Sequence, residues 1–111
     1  MALNEQSFYV LAALAQGPRH GYAIITETDQ ISEGRYEMKI STLYGVLDRL
    51  SHDGLIEVDR EEIHQGRMRR YYRLTRAGNG VLQEETKRYA ALARAGQRRL
   101  ATALSPAPHT S

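Results

Sequence analysis

Hydrophobic residues at the start of the chain recur at the spacing of an amphipathic helix. Between Asn4 and Gln16 an apolar or small residue returns every three or four positions, which places these residues on one face. Gly17-Pro18 should end this helix, because glycine suits a helix C-cap and proline cannot continue a helix. The stripe comprises Ser7, Val10, Leu11 and Leu14, with Phe8 and Ala12 beside it.

Two further helices are predicted by the same spacing. The second begins at His20 or Gly21 and runs to about Gln30, with Tyr22 and Ile25 on its buried side and Ile24 as a further candidate for burial. The third follows Ser41, which we expect to be its N-cap, and a glycine at position 54 closes it. Its apolar positions are Leu43, Val46, Leu47 and Leu50.

The hydrophobic period then changes to that of strands. Residues 55–63 and 67–74 predict a β-hairpin around His64-Gln65-Gly66, because glycine permits the tight turn. Thr75 is expected to cap a last, long helix. Its stripe consists of Val81, Leu82, Tyr89, Leu92, Ala93, Gly96, Leu100 and Ala103.

The order of elements predicts a mainly α protein with a small β-hairpin. Three short helices followed by a two-stranded ribbon form a winged helix-turn-helix, in which the third helix enters the DNA major groove. Nothing else in the sequence is left to cover the stripe of the last helix, so a second copy of the chain should cover it. We expect a DNA-binding domain over 1–76, a dimerisation helix over 77–104 and a disordered tail over 105–111.

Composition adds few constraints beyond this picture. The chain has 111 residues, 41% of them hydrophobic and 25% charged, with a net charge of +2 and no cysteine. These values are typical of one small globular domain and exclude disulfides and thiolate sites. The start lacks the features of a signal peptide, and no apolar run is long enough for a membrane span. We therefore expect a cytoplasmic protein.

Positive charge is concentrated in the stretch QGRMRRYYRLTRAG, residues 65–78, which holds five arginines and no acidic residue. It is either a nucleic-acid footprint or a solvated strand with acidic partners elsewhere. A two-residue turn would place Glu62 opposite Arg69 and Glu61 opposite Arg70, so that both arginines are largely neutralised. Arg67 has no such partner at the tip. One of the adjacent tyrosines should lie in the core; the other turns away.

Several spaced motifs resemble the PadR family of bacterial transcriptional regulators. The resemblance covers about residues 8–81, and its strength comes from the agreement of motifs in order rather than from any single one. The motifs are Gly17-Pro18, His20-Gly21-Tyr22, Ser41-Thr42-Leu43-Tyr44 with Leu47, Arg49 and Leu50, Gly54-Leu55-Ile56, and Arg69-Arg70-Tyr71-Tyr72-Arg73-Leu74-Thr75 with Gly78.

The resemblance implies a winged helix-turn-helix, homodimerisation through the C-terminal helix, and repression at palindromic operators. The length matches the short type with a single C-terminal helix. One position departs from the family pattern: Gly45 stands where proline is common. Glycine there loosens the first turn of the helix or lets the backbone approach DNA closely.

The predicted DNA-binding residues come from the third helix and the wing. Hydroxyl groups at the helix start can reach phosphates or bases, and a wing-tip arginine can enter a minor groove. Two of these residues have a second interpretation: Tyr44 as a half-buried packing residue, and Arg49 as the partner of an acid near Asp48 or Asp53. The set is Lys39, Ser41, Thr42, Tyr44, Gly45, Arg49, Gly66, Arg67 and Arg73, with Arg76 as a possible helper.

The last helix carries two further predictions. Its small and apolar stripe fits a dimer seam, where glycine and alanine allow close approach: Leu82, Tyr89, Leu92, Ala93, Gly96 and Leu100. Some members of the family bind aromatic effectors between the dimerisation helices and the first helix. By resemblance the effector-lining residues would be Phe8, Leu11, Tyr89, Leu92 and Ala93, with ordinary packing as the alternative.

No enzyme site is predicted. The histidines His20, His52, His64 and His109 are scattered, and neither metal-ligand spacing nor a nucleophile motif occurs. We expect no metal or cofactor. The alternatives to a DNA-binding repressor are a winged-helix module for protein interaction, and a sensor whose DNA affinity depends on an effector.

Overall fold

Seven elements follow one another along residues 3–104, the part of the chain that the computed structural model describes. The predicted tail over 105–111 lies outside these residues. The elements are α1 (Glu5–Ala13), β1 (Arg19–His20), α2 (Gly21–Ile31), α3 (Ile40–His52), β2 (Ile56–His64), β3 (Arg67–Leu74) and α4 (Arg76–Leu104). The three strands form one antiparallel sheet in the order β1-β3-β2. The predicted winged helix-turn-helix with a long C-terminal helix is confirmed.

Helix α1 begins and packs as its pattern predicts. The side chain of Asn4 caps it by accepting a hydrogen bond from the backbone N–H of Ser7 at 2.8 Å. It ends a few residues earlier than predicted, at Ala13, and the chain then turns through Gly17, which has φ +140°. The predicted stripe residues Ser7, Val10, Leu11 and Leu14 are all buried.

Helix α2 buries Ile24 and part of Ile25, as predicted, but not Tyr22. Ile24 and Thr28 are fully buried and Ile25 is half-buried, whereas Tyr22 is 66% exposed. Burial of Tyr22 was a wrong prediction, because residues two positions apart on a helix do not share a face and Ile24 takes the core position. Tyr22 therefore lies on the surface, beside the start of α3 and the wing.

The hydroxyl group of Thr28 is buried without a hydrogen-bond partner among the described residues. Replacing Thr28 with valine removes an unsatisfied polar group at nearly unchanged shape, so we expect unfolding to require about 1 kcal/mol more free energy. Chemical denaturation of both proteins at equal concentration measures this. A lower stability of Thr28→Val would show that the hydroxyl is satisfied in solution.

Helix α3 starts one residue before the expected cap. Lys39 is the N-cap, with extended backbone and no side-chain cap, and its carbonyl accepts from the N–H of Leu43 at 2.9 Å. The prediction of Ser41 as N-cap was therefore wrong. Met38, the residue just before the N-cap, is buried and anchors the chain at the start of the helix. The predicted core positions Leu43, Val46, Leu47 and Leu50 are buried.

The hairpin has the predicted register. His64 pairs with Arg67, Glu62 with Arg69, Glu61 with Arg70, and Arg60 with Tyr71. Gln65 and Gly66 both have positive φ, 51° and 77°, as a two-residue type I′ turn requires. Between Val58 and Arg60 the register shifts by a β-bulge, which the sequence pattern did not predict.

The two adjacent tyrosines separate as expected. Tyr72 is buried in the core and Tyr71 is half-buried on the other face of β3. The short strand β1 was not predicted. It pairs Arg19 with Tyr72 and His20 with Tyr71, so the residues just before α2 become the edge of the wing.

Helix α4 is capped as predicted and docks closely on the start of β2. The Thr75 hydroxyl accepts from the N–H of Gly78 at 3.0 Å and donates to the carbonyl of Gly54 at 2.6 Å. The N–H of Thr75 donates to the carbonyl of Leu55 at 3.1 Å. A Cβ atom at Gly78 would overlap that same carbonyl oxygen, so only glycine fits there.

Only the first part of α4 packs on its own chain. Leu82 and Glu85 are buried, and Glu85 forms an ion pair with Arg88 at 2.9 Å. Phe8 and Tyr89 meet edge to face with ring centroids 5.0 Å apart. Beyond Tyr89 the apolar stripe is exposed. None of the helices within residues 3–104 is long and apolar enough to cross a membrane.

Candidate nucleic-acid interface

The exposed surface at the start of α3 is small and polar. Ser41 and Gly45 are exposed, Thr42 is half-buried, and Tyr44 is 53% exposed. Lys39 stands at the N-cap and is exposed. An exposure of 53% fits both interpretations of Tyr44, the half-buried packing residue and the DNA contact. A helix start of this composition can lie deep in a groove with its hydroxyl groups toward phosphates or bases.

A groove of about 680 Å³ separates this helix start from the wing. Strand β1 covers β3 only at Tyr71 and Tyr72, so the edge of β3 nearer the turn is open toward α2 and α3. The groove is lined by His20, Gly21, Tyr22, Tyr44, His64, Gln65, Arg67, Met68, Arg69, Arg70 and Tyr72. Aromatic and cationic groups thus face a channel that runs beside α3.

The arginines of the wing differ in how far carboxylates neutralise them. Arg70 forms an ion pair with Glu61 at 3.2 Å, as predicted. Arg73 is held by two carboxylates, Glu57 at 2.9 Å and Asp59 at 3.2 Å. The pKa of the Arg70 guanidinium group is raised first by the side chain of Tyr72 and then by Glu61, and the pKa of Arg73 is raised mainly by its hydrogen bond to Glu57. Arg73 therefore brings less free charge to the surface than its place in the basic stretch indicates.

The predicted neutralisation of Arg69 by Glu62 is wrong. Although the two residues are cross-strand neighbours, Glu62 accepts from Arg60 at 2.7 Å. Arg60 also lies over the ring of Tyr71, 4.0 Å from its centroid, which holds the guanidinium group beside Glu62.

Arg69 turns toward α2 instead. Its Nη1 lies 3.5 Å from Nε2 of His20, a long contact, and the His20 ring meets the Tyr71 ring edge to face at 5.4 Å. Burial lowers the pKa of His20, and the neighbouring side chains of Arg69 and His64 lower it further. His20 is thus neutral near pH 7 and can accept from Arg69, which leaves the charge of Arg69 uncompensated.

Four cations around α3 and the wing have no carboxylate within 4.0 Å among residues 3–104: Lys39, Arg49, Arg67 and Arg69. The alternative interpretation of Arg49 as the partner of a nearby acid therefore does not hold in this chain. Arg67 and Gly66 are exposed at the wing tip, as predicted. The predicted helper Arg76 is exposed at the start of α4, away from the groove.

The structure divides the residues predicted for dimerisation and effector binding. Leu92, Ala93, Gly96 and Leu100 are exposed on α4, but Leu82 is buried in the core of its own chain and cannot contribute to an exposed seam. Leu11, predicted to line an effector site, has no exposed surface. Phe8 and Tyr89 contact each other. The effector site stays a prediction.

Most residues of the groove were not predicted as site residues, among them His20, Tyr22 and Arg69. His20 and Tyr22 stand in a quoted motif, but their contact with the wing depends on β1, which is too short to leave a periodic pattern. Across residues 3–104, no cluster of three or more His, Asp or Glu side chains could hold a metal ion.

Comparison with known proteins assigns the fold and the family. The sequence profile of the Transcriptional regulator PadR-like family matches residues 10–84. The chain belongs to this family. Its members are transcriptional regulators and not enzymes, which confirms the expectation that the chain is no enzyme. A transcriptional regulator of Mycobacterium tuberculosis is 36% identical over 86 residues, which cover 78% of this chain and 77% of that protein.

Solved structures agree with the fold. A PadR family transcription regulator from hypervirulent Clostridium difficile superposes with a TM-score of 0.72 at 22% identity, covering 87% of this chain and 99% of that one. Bacillus subtilis PadR in complex with operator DNA superposes with a TM-score of 0.67 at 24% identity. That match covers 75% of this chain and 47% of the Bacillus subtilis chain. At these identities the two structures support the fold.

Proposed function

We propose that this PadR-family regulator binds palindromic operator DNA as a homodimer and represses transcription. One observation carries the proposal: cations that no carboxylate of residues 3–104 neutralises lie on both sides of the exposed, hydroxyl-bearing start of α3. Such cations release counterions when they meet DNA phosphates, which supplies affinity. The Bacillus subtilis protein of the same fold was crystallised with its operator, which supports DNA as the partner.

In this arrangement α3 enters the major groove and Arg67 at the wing tip contacts the minor groove or the backbone. Ser41, Thr42 and Tyr44 lie closest to base edges and the neighbouring phosphates. Arg73 has a minor role, because Glu57 and Asp59 already hold it. Two-fold symmetry of the dimer would match a palindrome with half-sites about one helical turn apart, or a small multiple of that.

Operator binding can be tested once the purified protein has selected DNA fragments from a random pool. We expect Lys39→Ala and Arg67→Ala each to weaken binding to all sequences. Each should also reduce the slope of log affinity against log salt by about one, since each removes one phosphate contact. Fluorescence anisotropy over a series of salt concentrations measures both effects.

Arg94→Ala is the matched control, because Arg94 is an exposed α4 arginine with no carboxylate partner among the described residues. It should leave the salt slope unchanged. If no fragment is selected and the protein instead recovers a single partner protein, the chain is a protein-interaction module. Equal slopes for all three variants would refute the proposed docking.

Repression needs a separate test, because operator binding fits activation as well. A reporter gene behind the selected operator should be silenced when the wild-type protein is produced and restored by Arg67→Ala. A reporter that becomes more active with the wild-type protein would show activation.

A further inference from the structure

A second recess, of about 210 Å³, lies on the side of α3 away from the wing, where α3 meets the start of α1. We propose that it binds one phosphate group of the DNA backbone. The inference rests on the proposed DNA-binding function and adds a contact that involves α1. The recess is lined by Asn4, Gln6, Ser7, Thr42, Gly45, Val46 and Arg49.

The charge of the recess suits an anion. Arg49 contributes a guanidinium group with no carboxylate within 4.0 Å among residues 3–104, and no acidic residue is among the lining residues. The first turn of α1 adds the positive end of a helix dipole. The acid of that turn, Glu5, accepts from the hydroxyl of Tyr9 at 2.8 Å and is not part of the lining.

Ser7 provides an independent sign of a ligand. The residue is only 4% exposed, and its backbone N–H is satisfied by Asn4. Its hydroxyl group has no hydrogen-bond partner within the described chain, although it lines the recess. The hydroxyl oxygen itself is not fully buried. A phosphate oxygen in the recess could therefore reach it and accept its hydrogen bond.

Gly45 leaves the entrance of the recess open. A Cβ atom at this position would meet nothing within 4 Å, so the absence of a side chain leaves space above the helix backbone. A phosphate group can approach α3 through this space. The first carbon of a side chain at position 45 would enter this space without meeting a protein atom.

The geometry of B-DNA places a phosphate where the recess lies. The major groove is about 12 Å wide and an α-helix with its side chains about 10–12 Å across, so a docked helix fills the groove. The protein surfaces on the two sides of the helix then face the two phosphate backbones. The wing groove flanks α3 on one side and the recess flanks it on the other. Each would therefore meet a different strand.

The test measures whether the contribution of one protein group to affinity depends on one phosphate of the selected operator fragment. Each phosphate near the half-site is replaced in turn by a neutral methylphosphonate, and the affinity of wild type, Arg49→Gln and Ser7→Ala is measured. At one phosphate position the replacement should lower the affinity of the wild-type protein about tenfold. At that same position it should have little effect on Arg49→Gln and a reduced effect on Ser7→Ala.

Further variants separate contact from folding. Ser7→Ala removes a hydroxyl that has no partner, so its melting temperature should equal that of wild type while its affinity falls about fivefold. Gly45→Leu should fold and lose affinity at least tenfold, because the side chain fills the recess. Arg94→Gln, a charge-matched control on α4, should show no coupling to any phosphate.

Coupling of Arg49 and Ser7 to the same phosphate supports the recess as its site. Operator binding with no such coupling, or with Arg49 coupled and Ser7 not, overturns the inference and leaves the proposed function intact. If no DNA is bound at low salt, the proposed function fails first and the recess inference fails with it.

Discussion

Replacing Gly78 with alanine is expected to lower the free energy of unfolding by roughly 3 kcal/mol, at the upper end for an added methyl group in a packed site. The new Cβ would overlap the carbonyl oxygen of Leu55, which is backbone and cannot move without breaking its hydrogen bond to Thr75. Thermal melting at fixed protein concentration should show a loss of more than about 10 °C.

Gly80→Ala is the matched control, two residues further along the same helix. Gly80 is exposed and a Cβ there meets nothing within 4 Å. Alanine is the better helix former, so this variant should be more stable than wild type by about 0.5–1 kcal/mol. Equal melting temperatures for the two variants would show that α4 does not dock on β2 as described.

Introducing glutamate at both Leu92 and Leu100 is expected to convert the proposed dimer into a monomer. These residues are 57% and 65% exposed on one stripe of α4 and would meet the same stripe of a second copy. Burying four carboxylates against each other is unfavourable, and a monomer engages only one half-site. Operator affinity should fall by 100-fold or more, because the second half-site is no longer bound intramolecularly. Sedimentation and anisotropy measure the two effects.

Glutamate at Arg94 and Arg98 serves as the control for this pair. Both residues lie on the opposite side of α4, and the double replacement changes the charge more than the leucine pair does. It should nevertheless remain dimeric. If the Leu92 and Leu100 double variant stays dimeric, the seam lies elsewhere and the proposed role of α4 is wrong.

Much of this architecture follows from local patterns in the sequence. The hairpin register is set by a two-residue turn with glycine at its second position, and an alternating strand fixes Tyr72 inside once the register is set. Thr75 and Asn4 act as caps because a side-chain oxygen there reaches a free N–H two or three residues on. Each of these features needs only a few neighbouring residues.

The features that were missed depend on contacts between distant segments. Strand β1 has two residues and forms only because β3 offers an edge. Arg69 does not pair with Glu62 as predicted, because Arg60, which lies over the ring of Tyr71, forms the ion pair with Glu62 instead. Tyr22 likewise lines the groove between α3 and the wing only because the folded chain brings α2 beside the wing. Which arginines stay free for DNA is therefore decided by the folded wing and not by the count of charges in its sequence.

The contact of Gly78 with Leu55 has a consequence for the length of the operator. Gly54 closes α3, and its carbonyl and that of the next residue are both hydrogen-bonded to Thr75, where α4 begins. The end of α3, the helix that would read DNA, is thus hydrogen-bonded directly to the start of α4, the helix that would pair with a second copy. In such a dimer the distance between the two reading helices is fixed by the crossing of the α4 pair. We therefore expect a regulator that accepts one half-site spacing and rejects operators lengthened or shortened by a few base pairs.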